Sequence, residues 1–167
     1  MIIRQEDLAK VRKENAGKKI VLLKGTFDLL HVGHVNRMRA AKELGEILVV
    51  FVKCDEAIKL KGPGRPIEDE GQRAAVVDAI RYVDYTVVAR SKVDVGIEGV
   101  PEHERDHYLR YYKMVSDLKP DVLIRPEKDL PRILADLYQE IGTQIHFAGE
   151  TPGISTTMLI DKIRGML

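Results

Sequence analysis

Gly25-Thr26-Phe27-Asp28-Leu29-Leu30-His31-Val32-Gly33-His34 is the stretch that decides the fold of this chain. It follows the apolar run 20–23 (Ile-Val-Leu-Leu), which has the composition and length of a buried strand. Apolar residues at helical spacing come directly after it: Val35, Met38, Ala41 and Leu44. The stretch is therefore predicted to be the first strand-to-helix loop of an α/β sheet.

The rest of the chain repeats this alternation. Apolar strand segments at 47–52, 85–89, 122–124 and 144–147 are separated by segments with helical spacing of apolar residues. Strands that alternate with helices favour a parallel sheet with helices on both faces. We expect one domain over residues 1–167, built on a five-stranded parallel sheet.

Composition excludes several classes of protein. The chain has 167 residues, of which 44% are hydrophobic and 32% charged, enough for one full core. The net charge is +1 without a Lys/Arg block, which argues against a nucleic-acid partner. The single cysteine, Cys54, excludes a disulfide framework. Because no apolar stretch exceeds strand length, we expect a cytoplasmic protein without a membrane partner.

The first loop carries chemistry suited to phosphate. At a helix start the first backbone N–H groups lack intrahelical partners, and the positive end of the helix dipole is located there. Anions therefore bind well at this position. His31 and His34 can each donate an N–H to phosphate oxygens, and Gly33 between them allows close approach. The alternative is two loop histidines, one of them a helix cap. Asp28 either orients a loop N–H or hydroxyl, or forms an Asx turn.

A second helix start, at Ser155, Thr156 and Thr157, repeats the pattern near the end of the chain. A helix cap explains one hydroxyl. Three consecutive hydroxyls favour a grip on the terminal phosphates of a nucleotide. We therefore expect one extended triphosphate site that spans both helix starts.

Further cations flank the second and third strands. Lys61 lies among Gly and Pro residues just past the second strand, where open α/β sheets bind ligands, and the alternative is a solvated surface loop. The helix predicted over 68–81 presents two further cations, Arg73 and Arg81.

The two motifs together resemble the cytidylyltransferase branch of the HxGH nucleotidyltransferase superfamily, and glycerol-3-phosphate cytidylyltransferases in particular. The segment 80–84 (Ile-Arg-Tyr-Val-Asp) fits the same pattern. By contrast, Lys61-Gly62, Arg65-Pro66 and Gln72-Arg73 are similar to adenylyltransferases that act on heptose phosphates. The resemblance implies a Rossmann-like sheet of strand order 3-2-1-4-5, a homodimer, and Mg²⁺-dependent transfer of CMP from CTP to a phosphorylated alcohol or sugar. ATP with a sugar phosphate is the alternative.

The resemblance also implies roles for individual residues. His31, His34 and Lys61 would be catalytic, and Arg73 and Arg81 would bind the acceptor. The nucleotide would be contacted by Gly25, Thr26, Phe27, Asp28, Gly33, Ser155, Thr156 and Thr157.

Two departures from the family pattern leave questions open. Glu150 stands where cytidylyltransferases usually carry arginine, and the heptose-type adenylyltransferases also lack that arginine, so base preference is open. Glu127 is the one candidate substitute for the metal-linked carboxylates after the fourth strand, so the metal ligands are unknown. Two rival classes are a catalytically silent nucleotide-binding module and a zinc hydrolase built on His103-Glu104-Arg105-Asp106-His107.

Overall fold

The computed structural model describes residues 1–59, 63–91, 105–125, 132–149 and 151–166. The strands within these ranges are β1 (Ile2–Ile3), β2 (Ile20–Gly25), β3 (Ile47–Lys53), β4 (Tyr85–Ala89), β5 (Val122–Arg125) and β6 (Gln144–Phe147). The helices are α1 (Leu8–Glu14), α2 (Val32–Lys42), α3 (Asp55–Lys59), α4 (Glu70–Asp78), α5 (Arg105–Leu118), α6 (Arg132–Glu140) and α7 (Thr156–Arg164). A 3₁₀ turn, Gln5–Asp7, precedes α1.

The sheet is parallel, with six strands in the order β1-β4-β3-β2-β5-β6. The expectation of five strands was therefore wrong in number, whereas the five predicted strands, β2 to β6, lie in the predicted relative order 3-2-1-4-5. The additional strand is β1, whose Ile2 and Ile3 pair with Thr86 and Val87 of β4. Two residues are too short to show an alternating pattern in the sequence.

Alternate residues of the central strands feed two separate cores, as expected for a sheet covered on both faces. Ile20 and Leu22 of β2 pack with α1, α5 and α6 on one side, which we call the α5 face. Val21 and Leu23 pack with α2 and α4 on the other side, the α2 face. Because alternate residues of a strand face the same side, the position of a residue within its strand shows which face of the sheet its side chain lies on.

Strand β2 lies at the point where the order of strands reverses. It pairs with β3 on one side and with β5 on the other. In open α/β sheets the crevice at such a point, beyond the carboxyl ends of the strands, is where ligands bind. The loop 26–31, which the sequence marked as decisive, lies at that position.

Helix boundaries differ from the expected ones in three places. Helix α2 begins at Val32 instead of at 35. Helix α3 lies in a segment for which no helix was predicted, and α4 ends at Asp78 instead of at 81. Of the helices in the described ranges, none combines the length and the apolar character needed to cross a bilayer.

Candidate nucleotide site

His31 and His34 cap the start of α2 with their own rings. His31 is the N-cap residue, in extended backbone conformation, and its Nδ1 accepts a hydrogen bond of 3.2 Å from the Gly33 N–H. The Nδ1 of His34 accepts one of 3.3 Å from the His31 N–H. Because both Nδ1 atoms are acceptors, each neutral ring carries its proton on Nε2. The pair therefore presents two Nε2–H donors.

The two rings stack, with centroids 3.9 Å apart and planes 28° from parallel. Burial lowers the pKa of His34, and the neighbouring His31 and Arg37 lower it further. The carboxylate of Asp28 raises it by a smaller amount, and the resulting pKa is about 4, compared with the usual 6.5. Burial and Arg37 also lower the pKa of His31. Both rings are thus neutral at pH 7, as the close stacking of two imidazoles requires.

Glycines make room for this arrangement. The Phe27 ring lies edge-on to His34 with centroids 5.4 Å apart, and a Cβ at Gly25 would stand 2.6 Å from Phe27 Cζ. A Cβ at Gly33 would stand 3.0 Å from His31 Cε1 and 3.4 Å from Ile154 Cγ2. Because Gly25 and Gly33 have no side chains, the rings of Phe27 and His31 can pack closely against the backbone. This role is separate from any contact with a ligand.

Asp28 is buried and connects the loop to a distant segment. Its carboxylate accepts hydrogen bonds of 3.1 Å from the Ile67 N–H and 3.0 Å from the Glu68 N–H, and it pairs with Arg65 at 3.4 Å. Of the two interpretations of Asp28, orientation of a loop N–H is confirmed, but the N–H groups belong to residues 67 and 68. Because these bonds engage both oxygens, the carboxylate holds the loop in shape.

The three hydroxyls at the start of α7 have three different roles. Ser155 is the N-cap residue, and its Oγ accepts from the Met158 N–H at 3.1 Å. Thr156 Oγ1 donates to the Asp28 carbonyl at 2.8 Å. Thr157 Oγ1 accepts from Arg65 at 3.4 Å. Ser155 and Thr157 therefore keep their own hydroxyl protons for a ligand, whereas the proton of Thr156 is used to join two segments.

These contacts bring both helix starts to one place. The bond between Thr156 and Asp28 joins α7 to the loop after β2, and Ile154 lies against Gly33 at the start of α2. Asn36 of α2 also donates to Thr151 Oγ1 at 3.4 Å. The expected convergence of the two helix starts is thus a feature of the fold.

Arg73 is fully buried and ties strand ends together. Its guanidinium donates to the carbonyls of Thr26 at 2.6 Å and Lys53 at 2.8 Å, to the carbonyl of Glu68 at 3.0 Å, and to the Asp55 carboxylate at 2.7 Å. It therefore has no surface to offer an acceptor, contrary to the expectation from the sequence. The same contacts place the Thr26 backbone at the carboxyl end of the sheet.

Arg81 is not brought to the site. It lies beyond the end of α4, exposed, with its guanidinium 5.5 Å from the ring centroid of Tyr82. Asp84, three residues later, bonds to Leu48 near the amino end of β3. Arg81 thus lies near the amino ends of the strands, whereas His31 lies beyond their carboxyl ends, because helix α4 runs away from the site.

Several expected site residues lie outside the described residues. These are Lys61, Glu127, Glu150, and His103 and Glu104 of the zinc-like motif; the side chain of His107 is also outside them. Among the side chains that are described, no group of three or more His, Cys, Asp or Glu is arranged to hold a metal ion.

One contributor to the site was missed. Arg65 links the Asp28 carboxylate to Thr157, and so connects the loop after β2 with the start of α7. Its signal in the sequence is weak, because a Gly/Pro-rich loop gives no periodicity from which a partner can be inferred.

Comparison with known proteins gives matches over most of the chain. A family model described as cytidylyltransferase-like matches residues 22–162. The chain is similar to the bifunctional protein HldE of Pseudomonas savastanoi pv. phaseolicola, with 35% identity over 162 residues, which are 95% of this chain and 30% of that protein. It is 32% identical over 161 residues to HldE of Campylobacter jejuni, covering 96% of this chain and 31% of that protein. The chain thus spans about a third of the length of these relatives.

Solved structures show the same fold. The lipopolysaccharide core biosynthesis protein from Thermoplasma volcanium matches with a TM-score of 0.59 and 26% identity, over 81% of this chain and 98% of that one. A pantoate-beta-alanine ligase from Francisella tularensis matches with a TM-score of 0.55 and 16% identity, over 99% of this chain and 78% of that one. The second likeness concerns the fold alone.

Proposed function

The chain belongs to the cytidylyltransferase-like family of nucleotidyltransferases, and on that premise we propose that it transfers a nucleoside monophosphate from a nucleoside triphosphate to a phosphorylated sugar or alcohol. The observation that carries the proposal is the bond between Thr156 and the Asp28 carbonyl, which joins the two anion-binding helix starts. One triphosphate can then contact both.

The proposed reaction is an in-line displacement at the α-phosphorus. An oxygen of the acceptor phosphate forms a bond to phosphorus, the bond between that phosphorus and the oxygen bridging to the β-phosphate breaks, and pyrophosphate leaves. The attacking oxygen is already anionic, so the protein needs no general base. Its tasks are to align the reactants and to stabilise negative charge.

The neutral histidine pair fits that task. Two Nε2–H donors side by side can bond to oxygens of the α-phosphate as charge develops on them. Because Nδ1 of each ring is held by a backbone N–H, the donors are already oriented before the reaction. Ser155, Thr157 and the first N–H groups of α7 are proposed to hold the β- and γ-phosphates. Lys61 is assigned a phosphate contact on the resemblance alone.

Mg²⁺ is proposed to enter with the triphosphate. Phosphate oxygens and water supply most ligands of Mg²⁺ in such sites. Asp28 is engaged with two backbone N–H groups and Arg65, so we assign it no place around the ion. When bound, the ion would neutralise part of the negative charge of the phosphates.

ATP is the better-supported nucleotide. The relatives named HldE favour the ATP alternative over CTP. Glu150 in place of the arginine of cytidylyltransferases points the same way. The similarity to a lipopolysaccharide core biosynthesis protein supports a carbohydrate acceptor. We therefore propose adenylyl transfer to a sugar phosphate.

The direct test is release of pyrophosphate from ATP and CTP with Mg²⁺, across a panel of sugar 1-phosphates and glycerol phosphate. We expect release with ATP and at least one sugar phosphate, and slower release with CTP. Tight ATP binding without release for any acceptor would contradict the proposal and support a silent nucleotide-binding module.

Two amide variants of His34 test the assigned role. Asparagine can replace Nδ1 as the acceptor for the His31 N–H but has no group at Nε2, whereas glutamine can place an N–H near Nε2. We expect His34→Asn to lower turnover by about 10² to 10³, as loss of one such donor does. We expect His34→Gln to retain more activity than His34→Asn. Near-normal turnover in His34→Asn would refute the role.

A further inference from the structure

Three cations lie at the carboxyl ends of three adjacent strands, on one face of the sheet. Lys24 is the fifth residue of β2, and Lys53 and Arg125 are the last residues of β3 and β5. The α5 face receives Leu22, Phe51 and Leu123, which precede these cations by two positions in each strand. Because side chains alternate along a strand, all three cations belong to that face.

Strand register brings them close together. Leu23 pairs with Ile124, so Lys24 and Arg125 occupy the next positions on neighbouring strands. Such strands are about 4.8 Å apart. Lys24 itself pairs with Phe51, two residues before Lys53. Like charges so placed repel each other, which makes this edge of the sheet favourable for an anion.

The surroundings of the cations have defined contacts. Lys24 Nζ lies 4.5 Å from the ring centroid of Tyr111, whose hydroxyl bonds to that of Tyr138. Burial raises the pKa of Tyr138 well above its usual value, and Arg125 is close enough to oppose that shift. The Lys53 backbone is fixed by its bond to Arg73. The three cations have further contacts within the protein, which an incoming anion would join or exchange.

Four carboxylates described near this end of the sheet are engaged with other groups. Asp28 is bonded to the segment 65–68, and Asp55 pairs with Arg73. Glu68 accepts from the Leu29 N–H, and Glu70 accepts from the Asp55 N–H and pairs with Arg90.

The position also matches the direction of attack. The histidine pair and the start of α7 adjoin α2, on the α2 face, whereas the three cations lie on the α5 face of the same crevice. In-line displacement needs the nucleophile on the side of the phosphorus opposite to the leaving pyrophosphate. A phosphate held by the cations would approach from that side.

We propose that Lys24, Lys53 and Arg125 bind the phosphate of the acceptor substrate. This assignment rests on the proposed function, and it replaces the sequence-based assignment of Arg73 and Arg81. The three residues place the nucleophile, while the histidines and α7 hold the nucleotide.

Binding of inorganic phosphate to the full chain tests the site without turnover. Phosphate is titrated by calorimetry while a non-hydrolysable ATP analogue saturates the nucleotide site. We expect Lys24→Gln and Arg125→Gln each to weaken phosphate binding about tenfold or more, since each removes a charge-assisted contact. Arg125→Lys should recover most of the affinity. The affinity for the ATP analogue should change less than about threefold.

Two controls and the kinetics make the outcome decisive. Arg81→Gln removes a cation at the opposite edge and should leave phosphate binding unchanged, and melting curves show whether each variant folds. In the pyrophosphate assay the variants should raise the acceptor KM and leave the ATP KM unchanged. Unchanged phosphate affinity in folded Lys24→Gln and Arg125→Gln overturns the proposal. If both variants release pyrophosphate with the wild-type acceptor KM, the acceptor site is overturned and the proposed function stands. If the wild-type protein releases no pyrophosphate with any acceptor, the proposed function fails, and the acceptor site fails with it.

Discussion

The neutral state of His34 predicts an acid-sensitive contribution to stability. The pKa of His34 is about 4 in the folded protein, against 6.5 for the free side chain. Between these pH values the His34 ring is protonated in the unfolded chain and neutral in the folded protein. The free energy of unfolding therefore falls as pH falls. The contribution is complete above pH 6.5 and is lost as pH falls through about 4.

Its size follows from the shift. The full shift corresponds to at most about 3 kcal/mol, and because the ring is partly exposed, solvent screening reduces this to about 1 to 2 kcal/mol. The measurement is urea denaturation of wild-type protein and His34→Asn between pH 7.5 and 4. Asparagine keeps an acceptor for the His31 N–H and does not titrate. The wild type should therefore lose about 1 to 2 kcal/mol more than the variant over this range.

Long-range ¹⁵N–¹H correlation spectra of the imidazoles give an independent check. They should show His34 with its proton on Nε2 and no titration near pH 6.5. Equal pH dependence of stability in wild type and variant, or a His34 ring protonated on Nδ1 at pH 7, would refute the reasoning from the capping hydrogen bonds.

Three further substitutions test the framework around the histidines. Thr156→Val removes the bond to the Asp28 carbonyl and should raise the ATP KM about tenfold, while Thr156→Ser should keep it near the wild-type value; equal KM values would leave only a packing role. Arg73→Lys keeps the charge but not the fork geometry, and should lower the free energy of unfolding by about 3 kcal/mol in urea. Gly25→Ala forces the Phe27 ring aside and should cost about 1 to 3 kcal/mol in thermal unfolding; an unchanged melting temperature would contradict the close approach.

Much of the fold followed from strong local patterns in the sequence. The unbroken apolar runs in β2 and β3 and the helical spacing of apolar residues between the strands predicted alternating strands and helices. The convergence of 26–34 with 155–157 was also predicted, because both segments begin helices and carry side chains suited to phosphate. Strand β1 and helix α3 were missed, since two residues carry no periodicity and α3 borders a Gly/Pro-rich segment.

The positions of Arg73 and Arg81 could not be predicted from their charge in the sequence. Both are cations near one predicted helix, and charge alone does not tell which edge of a sheet a residue reaches. Helical spacing did contain a signal for Arg73, because it lies four residues before the buried Val77 and thus on the inward stripe. Likewise, the parity of Lys24 with Leu22 could have placed that lysine on the α5 face before any coordinates.

The contact between Asp28 and Ile67 has a consequence for mutational scans. The Ile67 side chain is 54% exposed, and only its backbone N–H reaches the carboxylate. Replacement by nearly any residue should therefore leave the enzyme unaffected, and a scan restricted to alanine would score the position as dispensable. Proline, which has no N–H to give, is the substitution that should disclose its importance.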